Sequence, residues 1–388
     1  MAKKDMELNN TADDIELEDI DGFDPFDVLD DSYEDNKIYG DSKTSSDTKE
    51  SKKNTKNKKK RNPVLVWAGR VGATLLSTIL ILVLFLYSVM AMLVYGPSKT
   101  AKIQFVLSVQ ETSAIGFLAN WFCSQDEIDQ IKANNAIKDT DEITDAGLVN
   151  IDTSAQDPET PDIEIVDVKG ATYSGKLMIV KDPSRLFVGT VPEFTNGNGM
   201  VVADIAKRYD AIGGVNGGEF VDGDTTYTAM PIGLVMKDGE VLNDNGGTSH
   251  VTGITYDNKL VLGNINAAKA KELNIRDCVS ISNHIGPFLI VNGEAQDVVG
   301  IAGGTNPRTA IGQTADGKIL LLAVDGRQPN SIGATFSDLQ DIMAQYGAVN
   351  ASTMDGGTST QMYYDGEIVN VPYSPTGPRS CPTAFLIK

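Results

Sequence analysis

Val71 to Val94 reads VGATLLSTILILVLFLYSVMAMLV and holds no charged residue across 24 positions. Coiled as a helix rising 1.5 Å per residue, it would reach about 36 Å, enough to cross a bilayer with some tilt. A cleaved signal peptide has a shorter apolar core at the extreme N-terminus, and this run is both too long and too far in. Lys52, Lys53, Lys56, Lys58, Lys59, Lys60, Arg61 and Arg70 flank its N-terminal side. An excess of basic residues marks the cytoplasmic flank of a span, so the N-terminus is expected inside and residues 97–388 outside. Trp67 and Tyr95 are placed to sit at the two interfaces. The expectation is a single-pass cell-membrane protein with four parts. Residues 1–62 form a cytoplasmic tail, 63–96 the span with its flanks, 97–162 a helical stalk and acidic linker, and 163–388 an extracellular domain.

The tail is dense in charge and poor in apolar residues, running from an acidic part (Asp13 to Asp21) to a basic one (Lys52 to Arg61). Such a segment cannot bury enough apolar surface to fold alone, which predicts disorder and leaves it available to a cytoplasmic protein partner of unspecified identity. Acidic residues outnumber basic ones 53 to 33, for a net charge of -20, so no broad basic surface exists to hold nucleic acid. The three cysteines, Cys123, Cys278 and Cys381, have neither the spacing of a metal knuckle nor the number of a disulfide framework. A Cys278–Cys381 pair remains open on spacing. Lys99 to Ala133 has apolar residues at helical intervals (Ile103, Val106, Leu107, Ile115, Leu118, Trp121, Phe122) and reads as a helical stalk. Asn134 to Pro161 reads as a linker.

From Ile163 the pattern changes to many short strands with few helices. Strands are expected at Ile163–Val168, Gly175–Val180, Arg185–Gly189, Pro231–Met236, Glu240–Leu242, Val251–Tyr256, Lys259–Leu262, Ile319–Val324 and Thr383–Ile387. Asp238-Gly239 and Asp257-Asn258 serve as hairpin turns. Helices are expected near Gly199–Tyr209 and after the capping box Thr335-Phe-Ser-Asp338, the latter ending at Gly347. This is an α+β pattern, a mixed sheet with flanking helices, rather than a doubly wound sheet.

The chemistry-bearing residues fall in glycine-rich loops. Asp355-Gly-Gly-Thr-Ser-Thr360 sets a carboxylate beside two glycines and three hydroxyls. Asp325-Gly326 follows a buried strand. Asn216-Gly-Gly-Glu219-Phe220 joins glycines to another carboxylate, and Asn283-His284-Ile-Gly-Pro287 carries one of two histidines. Arg308 and Arg379 each precede a strand. Taken singly, an Asp-Gly is a turn, a loop histidine is a surface side chain and Arg308 is an ion-pair partner. Glycines there let backbone amides approach a ligand, and the carboxylates offer acid-base or nucleophilic chemistry.

In order, Asn216–Phe220, Gly286-Pro287, Pro307-Arg-Thr-Ala-Ile-Gly312, Asp325-Gly326 and Asp355-Gly-Gly-Thr-Ser359 resemble the phosphodiester glycosidase domain family, over roughly residues 165–388. Two positions depart from the family pattern. Glu219 stands where an aromatic residue is usual, and Thr358 where a third glycine is usual. The resemblance implies cleavage of a glycosyl-phosphate bond in a sugar-1-phosphodiester, with no cofactor and with metal dependence left open. It implies Asp355 as nucleophile or base, with Asp325, His284 and Glu219 as further catalytic candidates. Substrate would be held by Arg308, Arg379, Asn216, Gly217, Gly218, Gly356, Gly357, Thr358 and Ser359. Forked guanidinium donors suit phosphate oxygens. Should Arg308 be a structural ion-pair residue, the phosphate site falls to Arg379 or Arg327. The expected substrate is an envelope polysaccharide or exopolysaccharide. Glycosyl or phosphoglycosyl transfer, or glycan binding without catalysis, are the alternatives.

Overall fold

A computed structural model describes residues 62–112, 115–151, 161–221, 228–281, 288–374 and 377–388. The chain divides into units at 1–69 and 70–388. In the first, the described residues are the opening turns of α1 (Pro63–Tyr95), a helix long and apolar enough to cross a membrane. Its apolar side chains are almost all exposed, and Val94 is its one buried residue. By length and composition the helix is a candidate membrane span.

The stretch expected as one helical stalk is three helices: α2 (Lys99–Gln110), α3 (Phe117–Asn120) and α4 (Gln125–Ala133). Ser98 and Ser124 start α2 and α4 by accepting hydrogen bonds from the amides of Ala101 and Glu127. The breaks let Val106, Val109, Ala119, Phe122 and Ile128 close around Val94 in a small core. Residues 134–151, expected as linker, lie packed along the sheets. Ile137 pairs with Val298, the Thr144 amide donates to the Leu262 carbonyl at 3.1 Å, and Val149 is buried.

The following strands and helices are β1 (Ile163–Lys169), β2 (Ser174–Val180), β3 (Leu186–Thr190), α5 (Val202–Arg208), β4 (Gly213–Asn216), β5 (Val235–Lys237), β6 (Glu240–Asn243), β7 (Ser249–Thr255) and β8 (Leu260–Ile265). They continue with α6 (Ala267–Glu272), β9 (Ile275–Ile281), β10 (Phe288–Val291), β11 (Glu294–Ala295), β12 (Arg308–Thr314), β13 (Ile319–Val324), α7 (Phe336–Gln345), β14 (Ala348–Thr353), β15 (Met362–Tyr364), β16 (Glu367–Ile368) and β17 (Thr383–Ile387). Among the described residues these strands make three antiparallel sheets, ordered β1-β2-β13-β12-β14-β10-β11, β16-β15-β4-β17-β3 and β6-β5-β9-β7-β8. The α+β expectation holds, and every strand pairing is antiparallel.

The unbroken apolar run of β13 explains its place inside the largest sheet. Ile319, Leu321 and Ala323 face a central core to which all three sheets contribute. Leu320, Leu322 and Val324 face the opposite side, where α7 packs with Phe336, Leu339, Ile342 and Met343. A strand covered on both faces has no need to alternate. β17 does the same in the second sheet: Phe385 and Ile387 enter the central core, while Ala384 and Leu386 meet Ile205 of α5. The capping box of α7 has both arms, Thr335 accepting from the Asp338 amide and Asp338 from the Thr335 amide, and Gly347 takes φ +81° just past its end.

All three cysteines are free and buried, so Cys278 and Cys381 do not pair. Burial pushes both of these thiols up to about 12. Because the thiolate is the reactive form, iodoacetamide at pH 8 is expected to leave both unlabelled in the folded protein. Both should label after unfolding in guanidinium, as mass spectrometry of tryptic peptides would read. Labelling of the native protein would show that these sites open.

Candidate active site

Strand register carries the singled-out loops to one end of two sheets. Arg308 opens β12 directly opposite Val324, the last residue of β13, and Ala310 pairs with Thr353, the last of β14. The Asp325 and Asp355 loops therefore leave the sheet where Arg308 enters it. In the second sheet Asn216, the end of β4, pairs with Ala384 near the start of β17. Its Gly217-Gly218 loop and Arg379 consequently share one end.

Backbone bonds then fasten the two sheets to each other. The Asn216 side-chain amide donates to the Asp355 carbonyl at 2.7 Å, and the Asp355 amide donates to the Gly217 carbonyl at 3.1 Å. Asn216 is fully buried, and its Oδ1 accepts from the Thr309 hydroxyl and the Gln361 amide. Asp355 is thus gripped on both sides of its own peptide. A Cβ at Gly217 would strike Thr383, and one at Gly218 would strike the Ser280 carbonyl. These two glycines serve close packing of strands.

Beside this junction lies a cavity of about 250 Å³ lined by Gln110, Glu111, Thr112, Asn306, Arg308, Arg327, Asp355, Gly356, Gly357, Thr358 and Arg379. Gly357 sits at φ +62°, a left-handed conformation that turns the loop against the Arg327 guanidinium. Arg379 lies 5.0 Å over the Phe220 ring. Arg327 donates to the Thr112 hydroxyl at 2.7 Å and to Asn306 Oδ1 at 3.0 Å. Burial, with Arg308 next, lowers its affinity for the proton, and Arg379 acts in the same sense. Three guanidinium groups thus share one pocket with the carboxylates of Glu111 and Asp355.

Arg308 is almost fully buried, and its Nε and Nη2 have acceptors within the protein. Nη2 donates to Glu111 and to the Gly304 carbonyl, Nε donates to the Ala334 carbonyl, and the group lies 3.9 Å over the Phe336 ring. Glu111, just past the end of α2, also accepts from the Gly304 amide at 3.0 Å and the Asn306 amide group at 2.6 Å. This ion pair anchors the segment before the domain to the pocket. Glu111 and Thr112 were not singled out in the sequence, although Glu111 is the one acidic residue between Lys99 and Asn120. That isolation in an otherwise apolar and basic stretch was the available signal.

The remaining candidates are placed as follows. Gly356, Gly357 and Thr358 line the cavity. Ser359 is buried behind them, its hydroxyl unpaired in the structure. Glu219 lies outside the lining; its amide donates to the Ser280 carbonyl, and its carbonyl accepts from the Ile232 amide. His284 and Gly286-Pro287 lie outside the described residues. Among the described residues no group of three His, Cys, Asp or Glu side chains is arranged to hold a metal.

Asp325 also lies outside the lining, held one layer back. Its Oδ1 accepts from the Asn370 side chain at 3.0 Å and the Val371 amide at 2.9 Å. Burial raises its carboxyl affinity for the proton, outweighing those two donors and the Lys176 charge. A raised folded-state value means that its favourable contribution is complete below the unfolded value near 4 and fades as pH rises through the folded one. Asp325→Asn keeps an oxygen for both donors and removes the buried charge. Its melting temperature at pH 7 should equal or exceed that of the wild type, the difference closing toward pH 4. Asp325→Ala should lose about 1–3 kcal/mol through the orphaned Asn370 and Val371 donors. Thermal melts of both variants across that range provide the measurement.

A sheet-built α+β domain with an arginine-rich pocket around a clamped aspartate is the class of protein that fold and site define. The family profile described as phosphodiester glycosidase matches residues 209–388, a little under half of the chain. The mouse N-acetylglucosamine-1-phosphodiester alpha-N-acetylglucosaminidase is 25% identical over 225 residues, covering 53% of this chain and 42% of its own length. An SPbeta prophage-derived protein of Bacillus subtilis, YomE, is 40% identical over 65 residues, 17% of this chain and 10% of its own. The chain therefore spans less than half the length of either curated relative. Among solved structures, the pro-peptide-inhibited catalytic domain of the zebrafish N-acetylglucosamine-1-phosphodiester alpha-N-acetylglucosaminidase aligns with a TM-score of 0.49 at 23% identity, covering 60% of this chain and 85% of that one.

Proposed function

We propose that this protein is a membrane-anchored hydrolase of sugar-1-phosphodiesters, with α1 as the span and its domain outside the cell. The observation that carries the reading is Asp355 facing a pocket shared by Arg308, Arg327 and Arg379. Two carboxylates line that pocket, and Glu111 is already engaged by the Gly304 amide, Asn306 and Arg308. Asp355, which lines the pocket, is assigned to the anomeric carbon. The bond between that carbon and the phosphate oxygen breaks, water supplies the hydroxyl of the free sugar, and the phosphate departs as a monoester. Such a leaving group is a weak base and needs little help from a general acid. Arg327 and Arg379 answer its charge, while the Gly356-Gly357 loop brings backbone close to the sugar-phosphate. The folded extracytoplasmic unit is proposed to begin at α2 rather than at residue 163, since Glu111 and Thr112 complete the pocket. Its natural substrate is proposed to be a glycan of the envelope or an exopolysaccharide.

The test uses the full chain in detergent with a panel of sugar-1-phosphodiesters bearing different sugars. Free reducing sugar and the matching phosphate monoester should appear in equal amounts. Retained configuration in the first-formed product would make Asp355 the nucleophile, and inverted configuration the base. An acceptor glycan added to the same reaction reads any transfer. A folded protein that releases no sugar from any member of the panel would overturn the proposal.

A further inference from the structure

The pocket is tied, through very little chain, to the outer end of α1. Glu111 follows Tyr95 by sixteen residues. Twelve of them form α2, about 18 Å of helix at 1.5 Å per residue. The chain then turns back: Phe122 stacks on Tyr87 with ring centroids 5.2 Å apart, and the Tyr95 hydroxyl donates to the Phe122 carbonyl at 3.2 Å. Tyr87 lies eight residues before the helix end, about 12 Å down its axis. The cap formed by α2, α3 and α4 therefore reaches alongside the last two turns of α1, where Met90, Ala91 and Val94 join its core.

That cap also exposes apolar side chains, alongside charged ones such as Asp126 and Asp129. Ile115, Phe117 and Trp121 are exposed by 39%, 53% and 57%, and the Phe117 and Trp121 rings meet edge to face at 5.5 Å. The cap packs against the apolar helix α1, and exposed aromatic rings on it favour the membrane interface. Ile115 comes four positions after Glu111 of the pocket wall.

Resting on the reading above of α1 as a span and of the pocket as a glycosyl-phosphate site, we infer that the Ile115–Trp121 cap is embedded in the outer membrane interface. The pocket then opens at the lipid surface and takes a sugar-1-phosphate ester whose phosphate carries a lipid chain. Hydrolysis splits the bond between the anomeric carbon and oxygen. Water's hydroxyl goes to the sugar, and the lipid phosphate leaves with the proton balance of a monoester, still anchored in the bilayer. Delivery along the surface replaces capture from solution, so binding energy need not be spent on ordering a free substrate.

Two measurements on the full chain in liposomes test this. In a Trp67→Phe background Trp121 is the sole tryptophan. Brominated lipids are expected to quench its emission at least two-fold, and quenching no stronger than in detergent would overturn the inference. Turnover is then compared between a long-chain isoprenoid sugar-1-phosphate, its diphosphate counterpart, and a water-soluble short-chain sugar-1-phosphodiester at equal bulk concentration. At least one lipid substrate should be favoured ten-fold or more in kcat/KM. A Phe117→Ser/Trp121→Ser variant should lose that preference while keeping its rate on the soluble ester. Equal rates on soluble and lipid substrates, or a preference untouched by the double variant, would overturn the inference yet leave the hydrolase standing. Absence of cleavage of every substrate would instead sink the hydrolase reading and this inference's substrate with it, while quenching would still report whether the cap is embedded.

Discussion

Asp355→Asn is expected to lower turnover by about two to three decades, the loss of a preorganised charge contact worth roughly 3–4 kcal/mol. The substitution keeps size and shape, and two bonds that hold residue 355 are made by its backbone: its carbonyl to Asn216 and its amide to Gly217. Folding should therefore change little, and the melting temperature of the variant should stay close to that of the wild type. Both a nucleophile and a base would lose their function, so the defect should fall on kcat more than on KM. A variant that cleaves sugar-1-phosphodiesters at the wild-type rate would remove Asp355 from the mechanism.

Glu111→Ala should be the most damaging single change outside the sheets. It strips the acceptor from Arg308, an almost fully buried cation, and from the Gly304 amide and the Asn306 side chain. Breaking a buried pair from one side costs about 3–5 kcal/mol, because the remaining charge has lost its partner. For a domain of this size that corresponds to a fall in melting temperature on the order of 10 °C. Glu111→Gln keeps an acceptor and should cost less. The combined Glu111→Leu/Arg308→Met variant removes both charges and should recover much of the stability but none of the activity. A double-mutant cycle over these variants isolates the pair's coupling. If Glu111→Ala melts like the wild type, the segment before the domain is not anchored by this ion pair.

The patterns that were legible in the sequence are local ones. The 24-residue uncharged run, the Thr335–Asp338 capping box, the Gly347 stop and the strands at 163, 319 and 383 each rest on near neighbours in the chain. Periodicity and end signals report such features directly, because the forces that decide them act over a few residues. The ordered Asn-Gly-Gly, Pro-Arg-Thr and Asp-Gly-Gly blocks pointed to the domain family for a related reason. Each is a short loop whose backbone conformation only a few residue types can adopt.

The tertiary structure decided which of those residues meet. Asp325 and Asp355 look alike in the sequence, as a carboxylate followed by glycine at the end of a strand. Strand register and the clamp from Asn216 turn Asp355 into the pocket, whereas Asp325 points to Asn370 and Val371. Arg308 reads as a phosphate fork, yet its donors go to Glu111, a residue 197 positions earlier. No local rule links an acidic residue at the end of one helix to an arginine at the start of a distant strand. That pairing exists because the cap docks at the mouth of the sheets, where a buried cation without its carboxylate would be too costly to keep.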